Sequence, residues 1–110
     1  MIPFNKPYLT GKEATYLKKA LKKGRLSGNG YFTDKCHSFF KESYGFKNCF
    51  LTNSATSALE MAALLCDICE GDEVIIPSYT FVSTATPFAL RGAKIVFCDS
   101  EPTNPNINVR

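Results

Sequence analysis

The sequence predicts an α/β fold built on a mostly parallel sheet, and three observations carry that expectation. Short apolar runs recur at Cys49-Phe50-Leu51, Val74-Ile75-Ile76 and Ile95-Val96-Phe97-Cys98, separated by stretches long enough for crossover helices. Each run is continuous rather than alternating, as strands are when a parallel sheet is covered on both faces. Between the first two runs, Ser54-Ala55-Thr56-Ser57-Ala58-Leu59-Glu60 passes from small polar residues straight into an apolar helical pattern.

The elements follow in order. Thr10-Gly11-Lys12-Glu13 reads as a capping box that opens a helix reaching about Lys23, with Gly24 ending it. Its apolar side is Ala14, Leu17 and Leu21; Lys18, Lys19, Lys22, Lys23 and Arg25 lie away from it. Gly28-Asn29-Gly30 is a turn. Thr33 or Asp34 then starts a second helix, with Cys36, Phe39, Phe40 and Tyr44 on its apolar side and Gly45 at its end. From Asn48 the pattern changes to β-α-β-α-β. The strand Cys49-Phe50-Leu51 leads into a helix from Thr56 to about Cys66, and Gly71-Asp72 turns into the strand Glu73-Val74-Ile75-Ile76. A helix over residues 80–90 is made irregular or late-starting by Pro87, and Gly92 turns into the strand Lys94-Ile95-Val96-Phe97-Cys98. Right-handed crossovers should lay the helices on the sheet. The tail Glu101-Pro102-Thr103-Asn104-Pro105-Asn106-Ile107-Asn108 is polar and turn-rich. These changes divide the chain into a helical segment, residues 1–47, and the β-α-β-α-β part, residues 48–110. Three parallel strands with open edges make a poor stand-alone domain, so the architecture reads as interrupted.

Composition narrows the function. At 110 residues the chain suits one small domain with an ordinary apolar fraction. No apolar run approaches a membrane span, and Met1-Ile2-Pro3-Phe4-Asn5-Lys6 lacks a signal-peptide core, so cytoplasmic residence is expected. The net charge of +3 is mild, and the lysine-rich side of the first helix reads as a solvated face rather than a nucleic-acid or membrane surface. Five cysteines argue against a secreted disulfide framework. Cys66-Asp67-Ile68-Cys69 has C-x-x-C spacing, but it ends a helix, where the dipole opposes a thiolate, and only Cys36-His37 could complete a zinc site. Structural thiols and no metal are the expectation.

The strand-to-helix turn at Ser54 is the feature with chemistry in it. It aims backbone N–H groups and the positive end of a helix dipole at one spot, which suits a phosphate monoester. Neither G-x-G-x-x-G nor G-x-x-x-x-G-K-[ST] is present, so dinucleotide and nucleotide-hydrolysing folds are not indicated. Taken alone, this segment favours the plainer reading, in which Ser54 and Thr56 merely cap a helix. Pro77-Ser78-Tyr79-Thr80-Phe81-Val82-Ser83-Thr84 follows the second strand and offers an aromatic ring, so a phosphorylated heteroaromatic cofactor is the ligand this pairing suggests.

Several motifs occur together in the right order. Ile2-Pro3-Phe4-Asn5 stands at the start, and Gly28-Asn29-Gly30-Tyr31-Phe32-Thr33 follows the first helix. Ser54-Ala55-Thr56-Ser57-Ala58-Leu59 comes next, then Gly71-Asp72-Glu73-Val74-Ile75-Ile76-Pro77-Ser78-Tyr79-Thr80-Phe81 and Gly92-Ala93-Lys94-Ile95-Val96-Phe97-Cys98-Asp99. From Ile2 to Asp99 the chain resembles the DegT/DnrJ/EryC1/StrS sugar aminotransferases, and within them the dTDP-4-keto-6-deoxyglucose 4-transaminases. The tail departs from the pattern, with Asn104-Pro105 and Asn108 where relatives more often carry Thr and Asp.

The resemblance implies the N-terminal part of a fold-type-I, three-layer large domain that binds pyridoxal 5'-phosphate. It implies contacts to the cofactor phosphate from Ala55 and Thr56, with Ser54 beside them, and stacking of Phe81 on the pyridine ring. Read without it, Phe81 is a core side chain. The resemblance also sets Asn5, Lys6, Tyr31 and Phe32 near the mouth of the site, where turn or surface roles suit them equally. The activity it implies moves an amino group from glutamate to a dTDP-4-keto-6-deoxyhexose in a ping-pong exchange, in a homodimer when full length. In that family the lysine that holds the cofactor, and the acid paired with its ring nitrogen, come later than Arg110. Neither Lys94 nor Asp99 matches them, so no catalytic residue is assigned here. Alone, the chain is expected to bind cofactor weakly and to be inactive. A histidine in place of the later lysine would make it a sugar dehydratase, and a non-catalytic remnant is the third reading.

Overall fold

A computed structural model describes residues 1–3 and 5–109, so Phe4 of the opening motif and Arg110 lie outside the described residues. The chain resolves into two compact units, residues 1–51 and 52–110.

The first unit is helical. Helix α1 is Glu13–Lys22 and helix α2 is Tyr31–Tyr44. The start of α1 is half of a capping box. The Thr10 backbone N–H and hydroxyl both donate to Glu13 Oε1, at 2.6 and 2.8 Å, while the Thr10 hydroxyl accepts from Lys12 N–H at 3.3 Å instead of from Glu13. Leu17 and Leu21, expected as the packed side, stay exposed, because α1 buries no residue. Its contact with α2 is aromatic, Tyr16 edge-on to Phe32 at 5.5 Å. Helix α2 begins at Tyr31, earlier than Thr33 or Asp34. Gly30 in extended conformation is its N-cap, so no side-chain oxygen marks the start. It ends as expected at Gly45, whose φ of 70° suits a residue without Cβ and whose N–H returns to Lys41 O at 3.0 Å. Phe40 and Tyr44 then stack on Phe46.

The expected strand at residues 49–51 does not form. An apolar run becomes a strand only when a neighbour supplies ladder hydrogen bonds, and this segment makes none among the described residues.

The second unit carries helix α3 (Ala55–Leu65), strand β1 (Glu73–Pro77), a 3-10 turn (Val82–Thr84), helix α4 (Thr86–Ala89) and strand β2 (Lys94–Cys98). The strands pair in parallel, Glu73 opposite Lys94 through Pro77 opposite Cys98. The α/β class with a parallel sheet therefore holds, with two strands among the described residues in place of three. Pro87 delays the crossover helix: the chain first makes the 3-10 turn, and Pro87 sits within the first two positions of α4, where its missing N–H costs nothing. Both the 3-10 turn and α4 pack on α3. The core is small, comprising Ala63, Ile76 and Ala93 with Pro87. Arg91 Nε donates to Ile68 O at 2.8 Å and ties the turn before β2 to the loop after α3. Lys94 faces solvent and pairs with Glu73 at 2.6 Å. The tail folds back through an antiparallel bridge between Ser100 and Ile107.

Candidate functional site

The site is built at the amino end of α3. Ser54 is the N-cap, with extended dihedrals of φ −157° and ψ 159°, and its Oγ accepts from Ser57 N–H at 3.1 Å. Thr52 fixes the approach to this turn by donating its hydroxyl to Ser54 O at 2.7 Å. Ala58 N–H closes the first helical bond on Ser54 O. Three donors are left over: the N–H groups of Ala55 and Thr56 and the Thr56 hydroxyl have no acceptor among the described residues. An eleven-residue helix adds roughly half a positive charge at this end. Two amide donors, one hydroxyl and a positive dipole end suit a phosphate dianion without a basic side chain.

The other expected residue, Phe81, stands in extended conformation just before the 3-10 turn, whose Thr84 N–H returns to Phe81 O at 2.9 Å. Thr80 and Thr84 brace the turn through a 2.8 Å hydroxyl pair. Phe81 is 76% exposed, so it is not the core side chain that its apolar neighbours suggest. Because the turn packs on α3, Phe81 belongs to the same unit as Ser54, Ala55 and Thr56.

Sequence reasoning did not pair Ser78 with Asp99. Ser78 N–H continues the ladder to Cys98 O at 2.8 Å, and its hydroxyl reaches Asp99 Oδ1 at 3.4 Å. Both residues sit at the carboxyl edge of the sheet, where α/β proteins hold ligands. The signal was available. Glu73–Pro77 and Lys94–Cys98 are strands of equal length, and pairing them in parallel from their first residues puts the residues that follow, Ser78 and Asp99, side by side.

The remaining expected positions lie in the first unit. Asn5 and Lys6 are exposed. Tyr31 opens α2 with its ring edge-on to Phe32 at 5.1 Å. In the second unit, Cys66 caps the carboxyl end of α3, and Cys69 N–H donates to Asp72 Oδ2 at 2.9 Å, so the pair closes a loop. Among the described residues no three His, Cys, Asp or Glu side chains converge to hold a metal ion, and no helix is long and apolar enough to cross a membrane.

This geometry has counterparts. Residues 7–110 match the model of the DegT/DnrJ/EryC1/StrS aminotransferase family. GDP-perosamine synthase of Escherichia coli O157:H7 is 34% identical over 100 residues, covering 91% of this chain and 28% of that protein. A DegT DnrJ EryC1 StrS aminotransferase from Brucella abortus superposes with a TM-score of 0.76 at 31% identity, over 87% of this chain and 26% of the other. A Streptococcus pneumoniae protein described as a sugar aminotransferase, solved in a PLP-form, gives 0.75 at 27% identity, over 97% of this chain and 27% of its own. The chain thus spans about 28% of the length of the curated relative.

Proposed function

Because the chain belongs to the DegT/DnrJ/EryC1/StrS aminotransferase family, whose members depend on pyridoxal phosphate, we propose that it supplies the phosphate-binding end of a nucleotide-sugar aminotransferase site. One observation carries this reading: Ala55 N–H, Thr56 N–H and the Thr56 hydroxyl have no partner among the described residues at the amino end of a capped helix. Ser54 orients the turn through its bond to Ser57 rather than by touching the ligand. Phe81 offers a ring face for stacking, worth about 0.5–1.5 kcal/mol beyond burial. When bound, pyridoxal phosphate supplies an electrophilic carbon and an electron-accepting ring for amino-group exchange. The residues here do the holding: they fix the phosphate, and through it the position of the ring.

The substrate in this reading is a nucleotide-linked 4-keto-6-deoxyhexose, with glutamate as amino donor and a homodimer as the working form. The sequence motifs favour dTDP as the carrier. The relative named GDP-perosamine synthase brings GDP forward as the alternative. Comparing turnover of the two keto-sugars by the intact protein decides between them.

The phosphate claim is tested by equilibrium binding of pyridoxamine phosphate against pyridoxamine, neither of which condenses with surface lysines. Tighter binding of the phosphate form is expected. Thr56→Val should weaken it about tenfold, the loss of one charge-assisted hydrogen bond. Equal affinity for the two compounds would sink the proposal.

A further inference from the structure

We infer that the outer face of α1 is a docking surface for an anionic lipid bilayer, on which the helix lies flat at the level of the headgroups. It shares no residue with the α3 turn and does not depend on the reading proposed for that turn. Helix α1 meets α2 through Tyr16, edge-on to Phe32 at 5.5 Å, and through Ala20, the one half-buried residue of α1, which lines a hollow with Tyr31 and Phe32. The apolar stripe lies elsewhere on the cylinder. Leu17 and Leu21 follow Tyr16 and Ala20 by one residue each, about 100° round the axis, and are 66% and 61% exposed. Ala14, three residues before Leu17, continues the stripe and is exposed as well. Lys18 and Lys22 come one residue further round and border it. The sequence suggests a packed stripe and a separate solvated lysine side; in the structure the two lie next to each other and both face outward.

Charge selects the occupant. None of Lys18, Lys19, Lys22 and Lys23 forms an ion pair among the described residues, where the pair Lys94–Glu73 stands alone. Lys18 and Lys22 are four apart, as are Lys19 and Lys23, a spacing at which like charges repel. Residues 1–51 hold ten of the thirteen Lys and Arg residues but three of the ten Asp and Glu residues. An anionic surface relieves this repulsion. A nucleic acid would answer the lysines and leave Leu17 and Leu21 in water, whereas an apolar protein surface would cover the leucines and strand the ammonium groups. A bilayer interface takes both: the leucines enter the acyl boundary while the lysine stems reach back to the headgroups. Two leucines are too few to hold the chain on a neutral membrane, and each lysine near an anionic one strengthens binding about fivefold. The attachment is therefore reversible and weakened by salt.

The test is co-sedimentation of the intact protein with vesicles of phosphatidylcholine alone and of phosphatidylcholine containing about one-third phosphatidylglycerol, at fixed ionic strength. The anionic vesicles should bind about tenfold or more tighter. Lys18→Gln/Lys22→Gln should weaken that binding about tenfold or more, and Leu17→Gln/Leu21→Gln about tenfold. Both pairs are exposed, so the urea midpoint should stay nearly unchanged in either variant. The control Lys41→Gln/Lys47→Gln removes equal charge from residues outside α1 and should leave binding within about threefold. Leu17→Trp adds an emission band, read as the difference from the parent protein, that should shift to the blue on anionic vesicles as the ring leaves water. A short DNA duplex should neither produce that shift nor distinguish the leucine variant from the parent. Equal binding to the two vesicles, equal losses in the two lysine variants, or full binding by the leucine variant overturns the proposal. So does a duplex that binds as tightly as the anionic vesicles, which would assign the face to nucleic acid. A leucine variant that abolishes self-association in sedimentation and spares vesicle binding would assign the stripe to a second copy of the chain instead.

Discussion

Ser54 and Thr56 are two residues apart and have different work. The Ser54 hydroxyl is committed to Ser57 N–H, so Ser54→Ala should cost about 1 kcal/mol of stability, read from the urea midpoint, while the donors of Ala55 and Thr56 remain. Thr56→Val should do the reverse: near-neutral stability and weaker binding of pyridoxamine phosphate. Phe81 gives a sharper contrast. A core phenylalanine cut to alanine costs roughly 3–5 kcal/mol, whereas one 76% exposed should cost within about 0.5 kcal/mol. Phe81→Ala is therefore expected to leave the urea midpoint nearly unchanged and to weaken cofactor binding about two- to tenfold. A large drop in stability would return Phe81 to the core. The sequence could not separate cap from ligand at this turn, because both roles favour the same residue types. The hydrogen-bond partners separate them: one hydroxyl is used internally, and two amides and one hydroxyl are not.

Elements with a sequence-local cause were legible, and those that depend on a partner were not. Gly45, Ser54 and Pro87 act within their own turns, and α2 ends, α3 begins and α4 is delayed where these residues stand. Residues 49–51 have strand composition and no ladder, since pairing is a property of two segments. Helix α2 starts two or three residues before the expected Thr33 or Asp34 because its cap is a glycine, which carries no side-chain signal. Two element-level outcomes follow from local causes. The backbone N–H of Glu13 itself, and then the Thr10 hydroxyl and N–H, hold the Glu13 carboxyl below its ordinary 4.5. The stabilisation of α1 is therefore present above that value and fades as pH falls through the lowered one. Far-ultraviolet ellipticity from about pH 5 to about pH 2 should show this loss, and Glu13→Gln should remove the step. Gly92 has a φ of 88°, and a Cβ there would sit 3.2 Å from Glu70 Cα. Gly92→Ala should cost about 1–2 kcal/mol for the left-handed backbone alone, with the backbone contact adding to it in the urea midpoint.

At the scale of the whole chain, the question is what the exposed apolar surface does. Ile75 and Phe97 occupy opposite faces of the two-stranded sheet, since Ile75 pairs with Val96 and Ile76 with Phe97, yet they are 65% and 66% exposed. Among the described residues both strands also present unpaired outer edges, the usual template for association. Two forces could join copies: attraction between the basic residues 1–51 and the acidic residues 52–110, or burial of these side chains. Magnitude decides between them. Exposed charges are screened beyond about 8 Å at physiological salt, and each exposed pair contributes about 1 kcal/mol or less. Full burial of one large aliphatic or aromatic side chain contributes about 1.5–3 kcal/mol and is insensitive to screening. Apolar contact should therefore dominate, so sedimentation is expected to show concentration-dependent self-association that persists at about 0.5 M salt, where screening is nearly complete within a few ångströms. Dissociation by salt would assign the contact to the charge asymmetry instead. A monodisperse monomer at every concentration and salt would mean that neither surface is adhesive, and that the sheet is protected by a means other than burial.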